Sequence, residues 1–207
     1  MFSDSQRALQ DKFDTRKLAD RIRDAAVQAV ISPEDQAYIE GMNMFFLATV
    51  DADGHANCSY KGGPRGFVRV LDETTLAFPL YDGNGMYLSA GNMLAKSNVG
   101  MLFVDFEQQS RLRVNGSASV SEHDPLLAEY PEAQLVIRVV VREVFPNCPR
   151  YIHKMQLVEE SAFIPKAECT TPPPAWKSLA VVADVLPARD AHLAGSDENV
   201  PAAINRG

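Results

Sequence analysis

Residues 44–62, MFFLATVDADGHANCSYKG, decide how the rest of the chain is read. MFFLATV (44–50) is apolar and partly β-branched, too short for a typical helix and well suited to a strand. DADG (51–54) is a turn signal, and HANCSYKG (55–62) alternates weakly behind it. Together they read as a β-hairpin.

The same grammar recurs downstream. GFVRVLD (66–72) and TLAFPL (75–80) form a second hairpin around DET, and VGMLFVDF (99–106) with SRLRVNGSASV (110–120) a third pair. HDPLLAEYP (123–131) reads as a short helix, and AQLVIRVVVREVF (133–145) as a long strand. Upstream, Leu9, Phe13, Leu18, Ile22, Ala26 and Val30 recur at near-helical intervals, which predicts a helix over 5–30. SPED (32–35) predicts a second helix, with Ser32 as N-cap, Pro33 at the first position and an end near Gly41. Beyond residue 145, FPNCPRYIHKMQLVEE turns at two prolines and reads as a helix carrying His153. TTPPPAW (170–176) is an extended connector, WKSLAVVADVL (176–186) a last helix, and the tail after Pro187 weakly ordered. Strands that follow one another at short spacing predict a mainly β fold, an antiparallel barrel or sandwich.

Composition sets the outer limits. The chain has 207 residues, enough for one domain with a sizeable core. Net charge is −7, which argues against a general nucleic-acid surface. No apolar run approaches a membrane span, and the N-terminus lacks the apolar stretch of a secretory signal. Cys58, Cys148 and Cys169 fit neither a disulfide framework nor a zinc pattern; Cys148 is read as a packed thiol. The expected location is cytoplasmic.

Chemistry-bearing motifs are few. His55, His123, His153 and His192 fit no metal spacing, and no nucleophile elbow, P-loop or dinucleotide fingerprint is present. PLYDGNGMYLSAGNMLAKSNVG (79–100) places four glycines and three asparagines between two strands, just before a helix expected at about 86–96. Free backbone N–H groups at such a place can receive an anion, although an isolated DGNG is more often a plain connection. Arg69, Arg111 and Lys61 add cations on strands, and alternation puts Arg69 on one face with Phe67 and Leu71. Binding groups without an acid/base or nucleophilic constellation are what a cofactor-dependent protein needs.

The run from FFLATVDADG to RLRVNGSASV (45–120) resembles the pyridoxamine 5′-phosphate oxidase-related, FMN-binding split-barrel family. GFVRVLD, DGNG…GN, NVGMLFVDF and RLRVNG occur in the family's order. The resemblance implies an antiparallel split β-barrel over 43–145, with helical extensions at 1–42 and 146–207 in one domain. It implies a homodimer with FMN at its interface. Carried over by position, Arg69 matches the basic residue of the strand after the first hairpin, with Phe67, Val68 and Val70 running beside the flavin. Asn84 and Gly85 fall on the phosphate loop, where the oxidases carry charges. Arg111 lies near the flavin, Lys61 is a further candidate, and Asn92 lines or caps the pocket. The C-terminal segment lacks the Arg- and Trp-rich closing motif of the true oxidases. The implied activity is therefore general FMN-dependent oxidoreduction, by hydride transfer at flavin N5, with no catalytic residue assigned and no metal. The alternatives are a flavin-binding sensor or carrier without turnover, a haem-binding split barrel, a deazaflavin binder and a purely structural barrel. The expected partner besides a small-molecule substrate is a second copy, with no nucleic acid and no membrane.

Overall fold

Ser32 opens the second expected helix as read: its hydroxyl accepts the Asp35 N–H while Asp35 reaches back to the Ser32 N–H, and Pro33 follows. In the computed structural model, which describes residues 1–195, this helix (α3) spans Pro33–Gly41. The predicted helix over 5–30 is two helices, α1 (Asp4–Lys12) and α2 (Arg16–Ala26). Asp14 turns the chain between them at φ 53°, a conformation Asp tolerates better than most residues. The five-residue step from Phe13 to Leu18, one too long for a single face, was the sign of the break.

Seven strands follow: β1 (Met44–Val50), β2 (Ala56–Gly62), β3 (Arg69–Asp72), β4 (Thr75–Tyr81), β5 (Asn98–Asp105), β6 (Ser110–Ser121) and β7 (Ala133–Pro146). Helix α4 (Leu88–Ala95) joins β4 to β5, and a 3-10 helix (Pro125–Glu129) precedes β7. All pairings are antiparallel, in the order β2-β1-β5-β6-β7-β4-β3. Strand β3 starts three residues later than expected. Phe67 and Val68 lie outside it and are buried, whereas Arg69 is half-buried and Leu71 exposed, so the predicted shared face of Phe67, Arg69 and Leu71 does not form.

Four phenylalanines show how the sheet closes. Phe45 of β1 packs edge-on to Phe78 of β4, ring centres 5.0 Å apart, and lies 5.2 Å from Phe103 of β5 and 5.9 Å from Phe67. β1 and β4 are separated by three strands in the sheet, so contact between them requires the sheet to curl onto itself. The side chains inside that curl, including Leu47, Leu76, Met101, Val114 and Ile137, are fully buried and carry the hydrophobic stabilisation. No ladder joins β2 to β3, the two ends of the sheet. The barrel is split there: the fold is mainly β, an antiparallel split barrel.

Two compact units are present, Met1–Val158 and the residues from Glu159 onward. In the first, the expected helix through His153 does not form. The backbone from 152 to 157 bonds to the β5–β6 turn instead, Met155 N–H to the Phe106 carbonyl (3.2 Å) and Gln109 Nε2 to the Ile152 carbonyl (2.8 Å). Cys148, expected to be packed, is exposed. In the second unit the last predicted helix is a pair of short 3-10 turns, Ala175–Ser178 and Ala180–Val182, and a third, Ala188–Leu193, follows Pro187. Buried Lys177 donates to Asp190 at 2.8 Å there. The tail expected to be weakly ordered lies largely outside the described residues, since it continues past Gly195. Among the described residues no helix is long and apolar enough to cross a membrane.

Candidate functional site

Strand alternation sends Asn57, Ser59 and Lys61 of β2 to one face. Their partners on β1 are Thr49, Leu47 and Phe45, all buried, so this face of β2 looks into the barrel rather than out to solvent. Because β2 is an end strand at the split, this inward face is not fully covered. It forms one wall of a groove of about 490 Å³. The opposite wall is Pro79–Tyr81 of β4, and the floor is the loop Asp82–Gly85 with Tyr87 and the first turn of α4, Leu88–Ala90. That volume suits a cofactor-sized ligand.

The electrostatics of the groove centre on Lys61. Its side chain is half-buried, burial holds the ammonium below the ordinary lysine pKa, and no carboxylate among the described residues pairs with it. A desolvated cation without a counter-ion is costly unless an anion arrives. Facing the same space is the N-terminus of α4. Its first N–H groups have no acceptor within the helix, and Tyr87 at the cap position supplies no side-chain capping bond to them. The Ser59 and Ser89 hydroxyls, 2.9 Å apart, join β2 to this turn and add two neutral groups able to donate or accept.

The loop is held in shape by three devices. Asn84 Oδ1 accepts the Met86 N–H at 3.1 Å, Gly85 takes φ 76°, and Tyr87 takes the left-handed conformation at φ 48°. Tyr87 Oη donates to Gln134 Oε1 (2.6 Å) while Gln134 Nε2 donates to Asp82 Oδ1 (3.1 Å), so one side chain of β7 ties both ends of the loop. Burial pushes the Tyr81 phenol up to about 12, with nearby Tyr130 adding to the effect.

Of the residues expected from the sequence, Lys61, Asn84 and Gly85 come together in the groove. Asn92 sits one turn further along α4, where its Nδ2 donates to the hydroxyl of buried Thr49 (3.0 Å). Arg69 pairs with Ala77 across β3–β4 and so shares a face with Pro79 and Tyr81, but it is engaged elsewhere. Its guanidinium bonds to Glu129 and lies 4.9 Å from the Tyr130 ring centre. Val70 donates its N–H to Glu40 Oε1 (3.0 Å). Phe67 and Val68 belong to the core. Arg111 is on β6, away from the groove lining, and gives Nη2 to the Cys148 carbonyl (2.6 Å). Ser59, Ser89 and Tyr81 were not singled out from the sequence. Ser59 was within reach, standing two residues from Lys61 on an alternating strand; its meeting with Ser89 was not, because only the fold brings residues thirty apart together.

Residues 31–149 match the family model described as pyridoxamine 5′-phosphate oxidase. The chain belongs to the pyridoxamine 5′-phosphate oxidase family. The family segment takes in α3, α4, all seven strands and the whole groove. No curated protein matches the chain. Among solved structures, HupZ of Group A Streptococcus is 21% identical, with 56% of this chain and 93% of that one covered and a TM-score of 0.46. An FMN-binding protein of Syntrophomonas wolfei is 11% identical over 68% of this chain and 97% of its own, TM-score 0.44. HutZ of Vibrio cholerae, a haem storage protein, is 18% identical over 56% and 93%, TM-score 0.42.

Proposed function

We propose that the groove is a flavin site and that the protein is an FMN-dependent oxidoreductase acting on a small molecule. The observation that carries this reading is Lys61: an unpaired, half-buried ammonium facing an uncapped helix N-terminus across a cofactor-sized groove. That combination matches a phosphate. Lys61 neutralises its charge, the N–H groups at the start of α4 and in the Asn84–Gly85 loop bond its oxygens, and the Ser59/Ser89 pair completes the set. Leu80, Tyr81 and Tyr60 offer apolar surface for a ring system and reduce access of water. FMN, when bound, supplies the hydride- and electron-accepting chemistry, so the chain needs no nucleophile of its own. A haem reading lacks comparable support, because the groove lining contains no histidine to serve as an axial ligand.

Calorimetric titration of the purified protein with FMN and with riboflavin tests the reading, alongside its absorption spectrum. FMN is expected to bind near one per chain, to bleach on photoreduction and recover in air, and riboflavin to bind at least about tenfold more weakly for want of the phosphate. A protein that ignores FMN, or holds both ligands equally, defeats the phosphate assignment.

A further inference from the structure

Six of the chain's seven lysines stand in ordinary settings. Lys12, Lys17, Lys96, Lys154 and Lys166 are exposed, and buried Lys177 pairs with Asp190 at 2.8 Å. Lys61 alone combines partial burial with the lack of any paired carboxylate among the described residues. It lies on the inward face of β2, opposite Phe45, and opens on the groove whose far wall is Pro79–Tyr81.

A lysine in such a place has two uses. Charged, it holds an anion. Uncharged, it is a nucleophile, and burial raises the share of the side chain that carries a free electron pair at a given pH. The neighbouring groups suit the second use. Ser59 stands two residues away on the same strand face, about 7 Å along the strand, and its hydroxyl lies 2.9 Å from that of Ser89. Ser89 belongs to the first turn of α4, whose free N–H groups receive a carboxylate as readily as a phosphate. An amine, a pair of hydroxyls and an anion-receiving turn therefore line one groove within a few ångströms' reach of each other.

We propose that the empty groove captures a short 2-oxo acid as an imine on Lys61, with the ligand's carboxylate on the first turn of α4. The Nζ electron pair forms the C–N bond, and one Nζ proton passes to the carbonyl oxygen. The C–O bond then breaks, the oxygen leaves as water with the second Nζ proton, and a C=N bond remains. Two protons leave nitrogen and two arrive on oxygen, so no oxidant or reductant takes part. The Ser59 and Ser89 hydroxyls, each able to donate and accept, carry protons between the two atoms. Hydrolysis reverses the step. Imine and phosphate compete for the same nitrogen and the same turn, so the groove is open to carbonyl compounds only while no phosphate fills it. The inference shares the anion-receiving turn with the flavin reading but uses no flavin, so its test reads out whether or not FMN binds.

The full chain is incubated with glyoxylate and sodium cyanoborohydride, which reduces imines to stable amines. Label on each lysine is read by mass spectrometry after chymotryptic digestion. Lys61 is expected to react at least about tenfold faster than any exposed lysine, the advantage of a bound and oriented ligand. Its rate should level off at a lower pH than theirs. Inorganic phosphate should slow Lys61 and leave the exposed lysines unchanged. Propionaldehyde, of similar size but uncharged, should show no preference for Lys61. Ser59→Ala with Ser89→Ala should slow Lys61 alone, with an unchanged circular dichroism spectrum. Labelling that follows exposure, with Lys61 no faster than Lys96, overturns the proposal. So does a Lys61 preference that propionaldehyde shares or phosphate leaves intact, or a folded serine variant that reacts at the parent's rate.

Discussion

Lys61 and Tyr130 are opposite cases: a half-buried ammonium with no carboxylate paired to it among the described residues, and a buried hydroxyl without a hydrogen-bond partner. Lys61 can be satisfied from outside, because it faces a groove. Replacing it with Met should weaken FMN by about 2 kcal/mol, the scale of a charge-assisted bond, with little change for riboflavin. Its lowered pKa fixes the pH dependence. An unliganded chain carries a penalty for charging Lys61 that disappears as pH rises through its lowered pKa toward the ordinary 10.5 of the unfolded chain, so the free protein's stability gains there. FMN affinity should move the other way, falling over that same window as the ammonium is lost. Lys61→Arg should hold its affinity there, and titrations at several pH values compare the two. Tyr130 has no such outlet. Its hydroxyl is buried without a partner, burial pushes the phenol up to about 12, and its ring serves as a platform for Arg69. Tyr130→Phe keeps the platform and removes the orphan, so thermal denaturation should show it unchanged or more stable by about 1 kcal/mol.

Secondary structure was legible where sequence and packing agreed. The β-branched run of β7, the DADG hairpin and the Ser32–Asp35 capping box each specify their element through local chemistry. Legibility failed where a distant contact replaced a local one. Residues 152–157 have a helix-compatible pattern, yet Ile152, Met155 and Leu157 spend backbone groups on the β5–β6 turn; residues 66–68 look like strand, yet Phe67 is drawn under Phe45. The groove was half legible for the same reason. Lys61 and the Gly/Asn loop declare themselves, while the serine pair and the engagement of Arg69 by Glu129 depend on long-range closure. At this scale Gly116 makes the sharpest test. It sits at the register shift between β6 and β7, where an added Cβ would lie 2.3 Å from the Val140 carbonyl oxygen and 2.8 Å from a Val139 methyl. Gly116→Ala must push apart the longest ladder in the barrel, and chemical denaturation should show a loss of about 2–3 kcal/mol.

For the molecule as a whole, the split in the barrel decides where function can lie. A sheet closed through Phe45 and Phe78 but not laddered between its end strands leaves the inward face of β2 open to the groove, and β2 places its one cation there. A ligand that binds this site spans both sides of the split and so belongs to the folded state alone. At a free FMN concentration one hundred times the dissociation constant, stability should rise by about 2.7 kcal/mol. Differential scanning calorimetry should show the transition moving upward with FMN, and by only about a third as much in free energy, about 0.9 kcal/mol, in Lys61→Met at the same concentration.

Gln134 reaches from β7 to both ends of the groove loop, and the consequence is one of timing. A loop already pinned by Asp82 and Tyr87 has lost its freedom before any ligand arrives, so capture should proceed in a single phase limited by encounter and orientation. Gln134→Ala removes one hydrogen bond from each end while leaving every phosphate-facing group in the sequence. Stopped-flow fluorescence should then resolve a second, slower phase as the freed loop settles around its ligand, with the amplitude of that phase measuring how much order the intact latch supplies in advance.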